Sequence, residues 1–202
     1  MKFTQIPADA FRRMVLNAAV IASAFDPETG TLRNDDILGA TTGGISFSAV
    51  PVYADMGDKV DNCPKNMKEL KKLVSWEAKV SGTFVTADTA LAARLSAAAD
   101  IAGNRVTPRF DLADGDFHDI WIVGDYSEYN GEQNGGWAAV RLKNALSTGG
   151  FSLETADGDR AKLAFEFTAH GSAAAQRDVP FDIWLTPGTP EGGSPESVQE
   201  GN

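Results

Sequence analysis

From Trp76 to Val85 the chain alternates strictly, with Trp76, Ala78, Val80, Gly82 and Phe84 on one side and Glu77, Lys79, Ser81, Thr83 and Val85 on the other. A period of two puts the first set on one face of an extended strand, so this stretch demands a sheet with one buried face. A matching run lies upstream, where Gly43 and Gly44 precede Ile45, Phe47 and Ala49, with Ser46, Ser48 and Val50 facing the other way. Pro51 cannot donate to a central ladder, which places the far end of that strand at an edge or out of the sheet. The polar segment between the two runs is too long for a tight hairpin turn, and such segments in compact domains are functional or disordered. Its aromatic, apolar and charged residues are not linker composition. We read about Pro51 to Val74 as an arm that reaches another chain, with Val60, Met67 and Leu70 as its apolar contacts and Asp58, Asp61, Lys65 and Lys68 among its charged ones. It is expected to be poorly ordered alone and set in place by its neighbour.

The rest of the chain supplies a sheet around this pair. Pro7 and Asp9 can start a short helix through AFRRMV, leaving Arg12 and Arg13 on a solvated face. VLNAAVIASAF reads as a buried strand ended by the turn cluster Asp26-Pro27-Glu28-Thr29-Gly30. TADTALAARLSAAAD predicts a helix over about 87–99, capped by Thr86, with Asp88 in its first turn, Leu91, Leu95 and Ala98 on one stripe and Arg94 off it. NRVTPRFDLADGD holds one short strand, and FHDIWIVGD one buried on much of both faces. Asn-Gly pairs at Asn130 and Asn134 predict a hairpin to WAAVRLKNALS, and Asp157-Gly158 a second within GGFSLETADGDRAKLAFEFTAH. FDIWL closes the set. Seven or eight strands with one helix predict a mainly β fold, a sandwich or barrel with a helix on its flank, over residues 1–185. Residues 186–202 have the Pro, Gly, Ser and Glu composition of a flexible tail.

The net charge of −10, carried by 28 acidic against 18 basic side chains, repels nucleic acid and argues against tight DNA binding. No apolar run is long enough to span a bilayer and no signal-peptide pattern opens the chain, so a soluble protein with no membrane partner is expected. The lone Cys63 excludes an internal disulfide framework and suits a reducing compartment. It has no His near it in sequence to act as a base, and a turn or interface cysteine is the plainer reading. Nucleophile elbows, phosphate loops and dinucleotide fingerprints are missing, and His118 and His170 lack zinc-site spacing, so no catalytic residue and no cofactor is expected. No metal is expected either. Asp111, Asp114 and Asp116 are the carboxylates that would hold calcium if one bound, but their spacing is not that of an EF-hand and a solvated turn is simpler. Trp76, Trp121, Trp137 and Trp184 raise the alternative of a carbohydrate-binding or adhesin sandwich. Trp137, after Gly136, is the one expected to be exposed.

The phrases DNCPKNMKELKK, NGGWAAVRLKNALSTGGF and FEFTAH, in collinear order between about Phe11 and Leu185, resemble the tail tube (major tail) proteins of long-tailed, non-contractile, siphovirus-type bacteriophages. The resemblance implies a β-sandwich flanked by a helix that assembles into hexameric rings. It further implies stacking of those rings into a tube, with tail completion or distal tail proteins at its ends, and DNA passing through the lumen without tight binding. The long loop would contact the adjacent ring. The chain would be part of the virion, assembled in the host cytoplasm. No catalytic residues carry over. A carbohydrate-binding or adhesin module on the tail surface is the alternative.

Overall fold

A computed structural model describes residues 6–7, 10, 14–126 and 135–189. Among them lie nine strands and one α-helix: β1 (Val15–Ala22), β2 (Thr41–Asp55), β3 (Lys71–Phe84), α1 (Thr89–Leu95), β4 (Ala99–Ala102), β5 (Arg105–Pro108), β6 (His118–Tyr126), β7 (Gly136–Ser147), β8 (Leu163–Thr168) and β9 (Phe181–Thr186). The fold is mainly β with one helix, and its strand pairs are antiparallel.

The main sheet runs β1-β6-β7-β8-β3-β2, with β9 also on β7. β7 joins two halves because it changes partner along its length. Trp137 to Leu142 pair with β9, then Leu146 and Ser147 pair with β8. The change falls at Asn144, whose φ of 48° bends the strand, and Asp119 of β6 holds the bend. Its carboxylate accepts from the Asn144 N–H at 3.0 Å and from the Arg141 guanidinium.

Both halves fold onto one core. Ile21, Ile120, Ile122 and Leu142 come from the β1-β6-β7 half, Ala78, Val80, Phe84, Leu163, Phe165 and Phe167 from β3 and β8, and Leu91 and Leu95 from α1. The opposite face of β6 and β7 carries a second cluster of Ala22, Phe25, Trp121 and Ala139 with Trp137 and Trp184 against it. FHDIWIVGD is therefore buried on both sides, as its lack of clean alternation predicts.

Three expectations differ from the structure. The helix is Thr89–Leu95 rather than about 87–99, and its cap is Asp88, whose carboxylate accepts from the Leu91 N–H at 2.7 Å. Thr86 instead accepts from the Ala40 N–H at 2.9 Å, which ties the helix entry to the start of β2. The alanine-rich SAAAD does not prolong the helix, because Ala97 turns left-handed at φ 63° and Ala99–Ala102 pair with β5. Burial and pairing override helix propensity here. The second expected hairpin, around Asp157-Gly158, is reduced to a single Glu154–Lys162 bridge, since β8 takes its partners from β3 and β7 instead.

Asp88→Ala is expected to cost about 0.5–2 kcal/mol in chemical denaturation, with Asp88→Asn recovering most of it, because either side chain accepts the Leu91 N–H. Of the short helix expected from Pro7 through AFRRMV, Val15 opens β1 instead, while Asp9, Arg12 and Arg13, the Asn130 and Asn134 turns, and the tail from residue 190 lie outside the described residues.

Candidate functional site

The β2–β3 pair is the longest element of the molecule and outruns its own sheet. Its ladder extends from Thr41–Phe84 to Asp55–Lys71, whereas β8 supports β3 only over Lys79–Phe84. Beyond that, Val50–Asp55 and Lys71–Glu77 pair with each other alone and form a two-stranded ribbon, whose root at Ala78 is still held by the Ala169 N–H at 2.9 Å. The arm expected at 51–74 is thus strand at both ends, with a turn-built tip over residues 56–70. Pro51 does not stop the strand: it sits opposite Trp76 on the outermost strand of the sheet, where its missing N–H removes no ladder bond to a further strand. At the root, Gly43 and Gly44 take φ of 76° and 83° in a bulge, a backbone that side chains with a Cβ rarely adopt.

The tip is organised by Asp55. Its carboxylate accepts from the Gly57 N–H at 3.0 Å and from the Asn66 N–H at 3.1 Å, and Lys71 Nζ donates to the Asn66 side chain at 3.0 Å. Leu70 and Cys63 close over Gly57, where a Cβ would lie 2.9 Å from Leu70 Cδ1 and 2.8 Å from Cys63 Sγ. Leu70, expected at an interface, is therefore turned inward as the floor of the tip, and the segment expected to be loosely ordered has a hydrogen-bonded form of its own. The remaining candidates Asp58, Val60, Asp61, Lys65, Met67 and Lys68 are all exposed.

The two N–H groups hold the Asp55 carboxyl below its ordinary 3.8. Because the folded group titrates lower than the unfolded one, its contribution to tip order is whole above about 3.8 and is lost as pH falls through the folded value. In an acid titration followed by NMR, the Gly57 and Asn66 amide signals should move together below that pH. Two amides that ignored the titration would show that Asp55 is not their acceptor.

Sequence reasoning missed that the ribbon's stem is also a contact surface. Val50, Tyr53, Met56, Leu73 and Val74 are exposed along it, a row of apolar side chains with no covering layer. Alternation could not have shown it, because the ladder slips between Val52 and Tyr53 and brings Val50 and Tyr53, of opposite parity in sequence, both to the surface. Residues 50–77 carry five lysines against five carboxylates, so ribbon and tip together are electrically neutral on a chain of net charge −10.

Other candidates are occupied in ways that answer for them. Asp116 accepts from Arg109 and from the Ala113 N–H, and among the described residues no group of three metal-ligating side chains forms around Asp111 and Asp114. Cys63 is half-buried, 4.0 Å from Met67 Sδ. His170 Nδ1 lies 3.2 Å from the Asn144 carbonyl, with its ring edge-on to Phe117. Burial and the nearby Arg94 lower the pKa of His118. Arg94, expected off the apolar stripe of the helix, is half-buried, and its Nη1 lacks a hydrogen-bond partner. Trp137, expected to be exposed, is not, because it packs edge-on against Phe25 at 4.9 Å, while Trp121 and Trp184 lie 5.0 Å apart. No helix among the described residues is long and apolar enough to cross a membrane.

No protein-family model matches the chain, and no curated protein is similar to it. Among solved structures, a chain of the "Virion of native gene transfer agent (GTA) particle" superposes with a TM-score of 0.38 and 12% identity, over 84% of this chain and 95% of that one.

Proposed function

We propose that the chain is a structural virion protein, a tail tube subunit that closes into hexameric rings and stacks into the conduit through which phage DNA leaves. The observation that carries this reading is the β2–β3 ribbon, which projects past its last supporting strand with apolar side chains on display. A two-stranded ribbon in water is marginal by itself, and an apolar row along it is stabilised only when another surface covers it. The sheet supports the same conclusion. β2 and β9 each have a described strand partner on one side only, and the outer side of β1 is covered only at its end, by the Ala22–Ile37 bridge; ring closure removes such open edges by joining sheet to sheet.

The chain's acidity suits a conduit. Lys and Arg on the wall would add a favourable term for each phosphate they neutralise and make transit slow and salt-dependent, whereas an acidic wall does not hold the backbone. Negative-stain microscopy of the purified protein is expected to show rings or tubes. Persistent monomers at high concentration would overturn the assembly, and a basic lumen in a reconstruction of the tube would overturn the acidic-wall mechanism alone.

A further inference from the structure

Arg109 is the centre of a loop that holds two apolar side chains out in water. Its guanidinium donates through Nε to Asp100 at 3.0 Å, through Nη1 to the Asp111 carbonyl at 2.6 Å and through Nη2 to the Asp116 carboxylate. That carboxylate also accepts from the Ala113 N–H at 2.7 Å. These bonds tie β4, the segment after β5 and the 3-10 turn Asp114–Asp116 into one piece. Within it Phe110 is fully exposed and Leu112 is 54% exposed. Asp111 lies between them and Asp114 follows, and neither carboxylate has an ion-pair partner among the described residues. An exposed Phe on a loop already held in shape loses little entropy on docking, which is how contact hot spots are built.

A receptor of matching chemistry lies on the same chain. Beside β3, where β8 no longer supports it, a cleft of about 490 Å³ opens between residues 72–76 and 176–180. That size falls within the roughly 300–1,000 Å³ of ordinary ligand clefts. Val74, Trp76, Val179 and Pro180 give it apolar walls. Lys72 and Arg177 stand at it as two cations without ion-pair partners among the described residues, against the single carboxylate of Asp178. Unpaired cations over an apolar cleft complement unpaired carboxylates beside an apolar knob.

Resting on the self-assembly reading above, we infer that the Phe110–Leu112 knob of one copy docks in the β3 cleft of a second copy, with Asp111 and Asp114 facing Lys72 and Arg177. Knob and cleft are unlike surfaces, so one such contact leaves a free knob and a free cleft on the pair, and the arrangement propagates into rings or filaments.

Full-length chains with Cys63→Ser test the contact. One chain carries Asp111→Cys and the other Arg177→Cys; mixed and treated with a short bis-maleimide, they are expected to give a cross-linked dimer that neither gives alone. Phe110→Ala removes no buried contact, so the monomer should keep its circular dichroism while self-association in sedimentation weakens about 10- to 100-fold. Charge reversal at both Asp111 (to Lys) and Arg177 (to Glu) should restore part of what each change loses alone. Tubes that form normally with Phe110→Ala and yield no mixed cross-link would overturn the docking and leave the tube reading intact. A mixed cross-link in assemblies that never close into rings would support the docking and overturn the tube. Equal cross-linking in unmixed samples would count against the contact.

Discussion

Phe84→Ala is expected to lower the unfolding free energy by about 3–5 kcal/mol, read as a shift of the urea midpoint at constant slope. Phe84 is 0% exposed and its ring centroid lies 4.4 Å from that of Phe165. It belongs to the cluster in which α1 meets β3 and β8, so its loss opens a cavity where three elements join. The backbone there has no room to collapse, because Phe84 is paired to Thr41 on one side and Leu163 on the other. Against a total stability of about 5–15 kcal/mol for an ordinary domain, this one ring carries a fifth or more of what holds the monomer folded. Tyr53→Ala, an exposed change on the ribbon stem, should move the monomer by no more than about 0.5 kcal/mol. A Phe84→Ala loss below about 1 kcal/mol would mean that the junction relaxes around the gap and is not close-packed.

Replacing residues 56–70 by Asn-Gly, so that Asp55 and Lys71 flank a two-residue turn, is expected to leave the monomer folded and abolish tube formation. Asp55 and Lys71 already sit opposite each other in the ladder, and Asn-Gly is the turn that the twist of such a hairpin favours. Neither core cluster contains a residue of the tip, so the unfolding temperature should stay within a few degrees of the parent. What disappears is the surface that carries Val60, Met67 and the lysines 59, 65 and 68. Electron microscopy should find single subunits or isolated rings where the parent gives stacked ones. Normal tubes from the shortened chain would remove the tip from the assembly mechanism and leave the stem as the remaining contact.

Much of the body was legible in the sequence because half-buried strands write their geometry as alternation. Ile45, Phe47 and Ala49 do pack toward the core, and Leu163, Phe165 and Phe167 line it as their period of two predicts. The hairpin from β6 to β7 was likewise announced by its flanking strands. The failures share a physical cause. Ala98 and Ala99 read as helix because propensity is local, while their strand and turn conformations depend on β5 and on burial. Trp137 read as exposed because nothing in its neighbourhood in sequence names Phe25, which covers it from more than a hundred residues away.

The candidate surface divides along the same line. By itself the sequence determined that two alternating strands flank a polar excursion with Asp58, Val60, Asp61, Lys65, Met67 and Lys68 in it, because charge and period are properties of the chain. Only the tertiary structure decided where β8 stops supporting β3, and hence that residues 50–55 and 71–77 continue past it as a two-stranded ribbon. It also decided that Leu70 faces inward, and that Phe110, held by Arg109 through Asp100 and Asp116, faces out. Exposure is set by which strands run out of partners, and partners are chosen across the fold rather than along the chain.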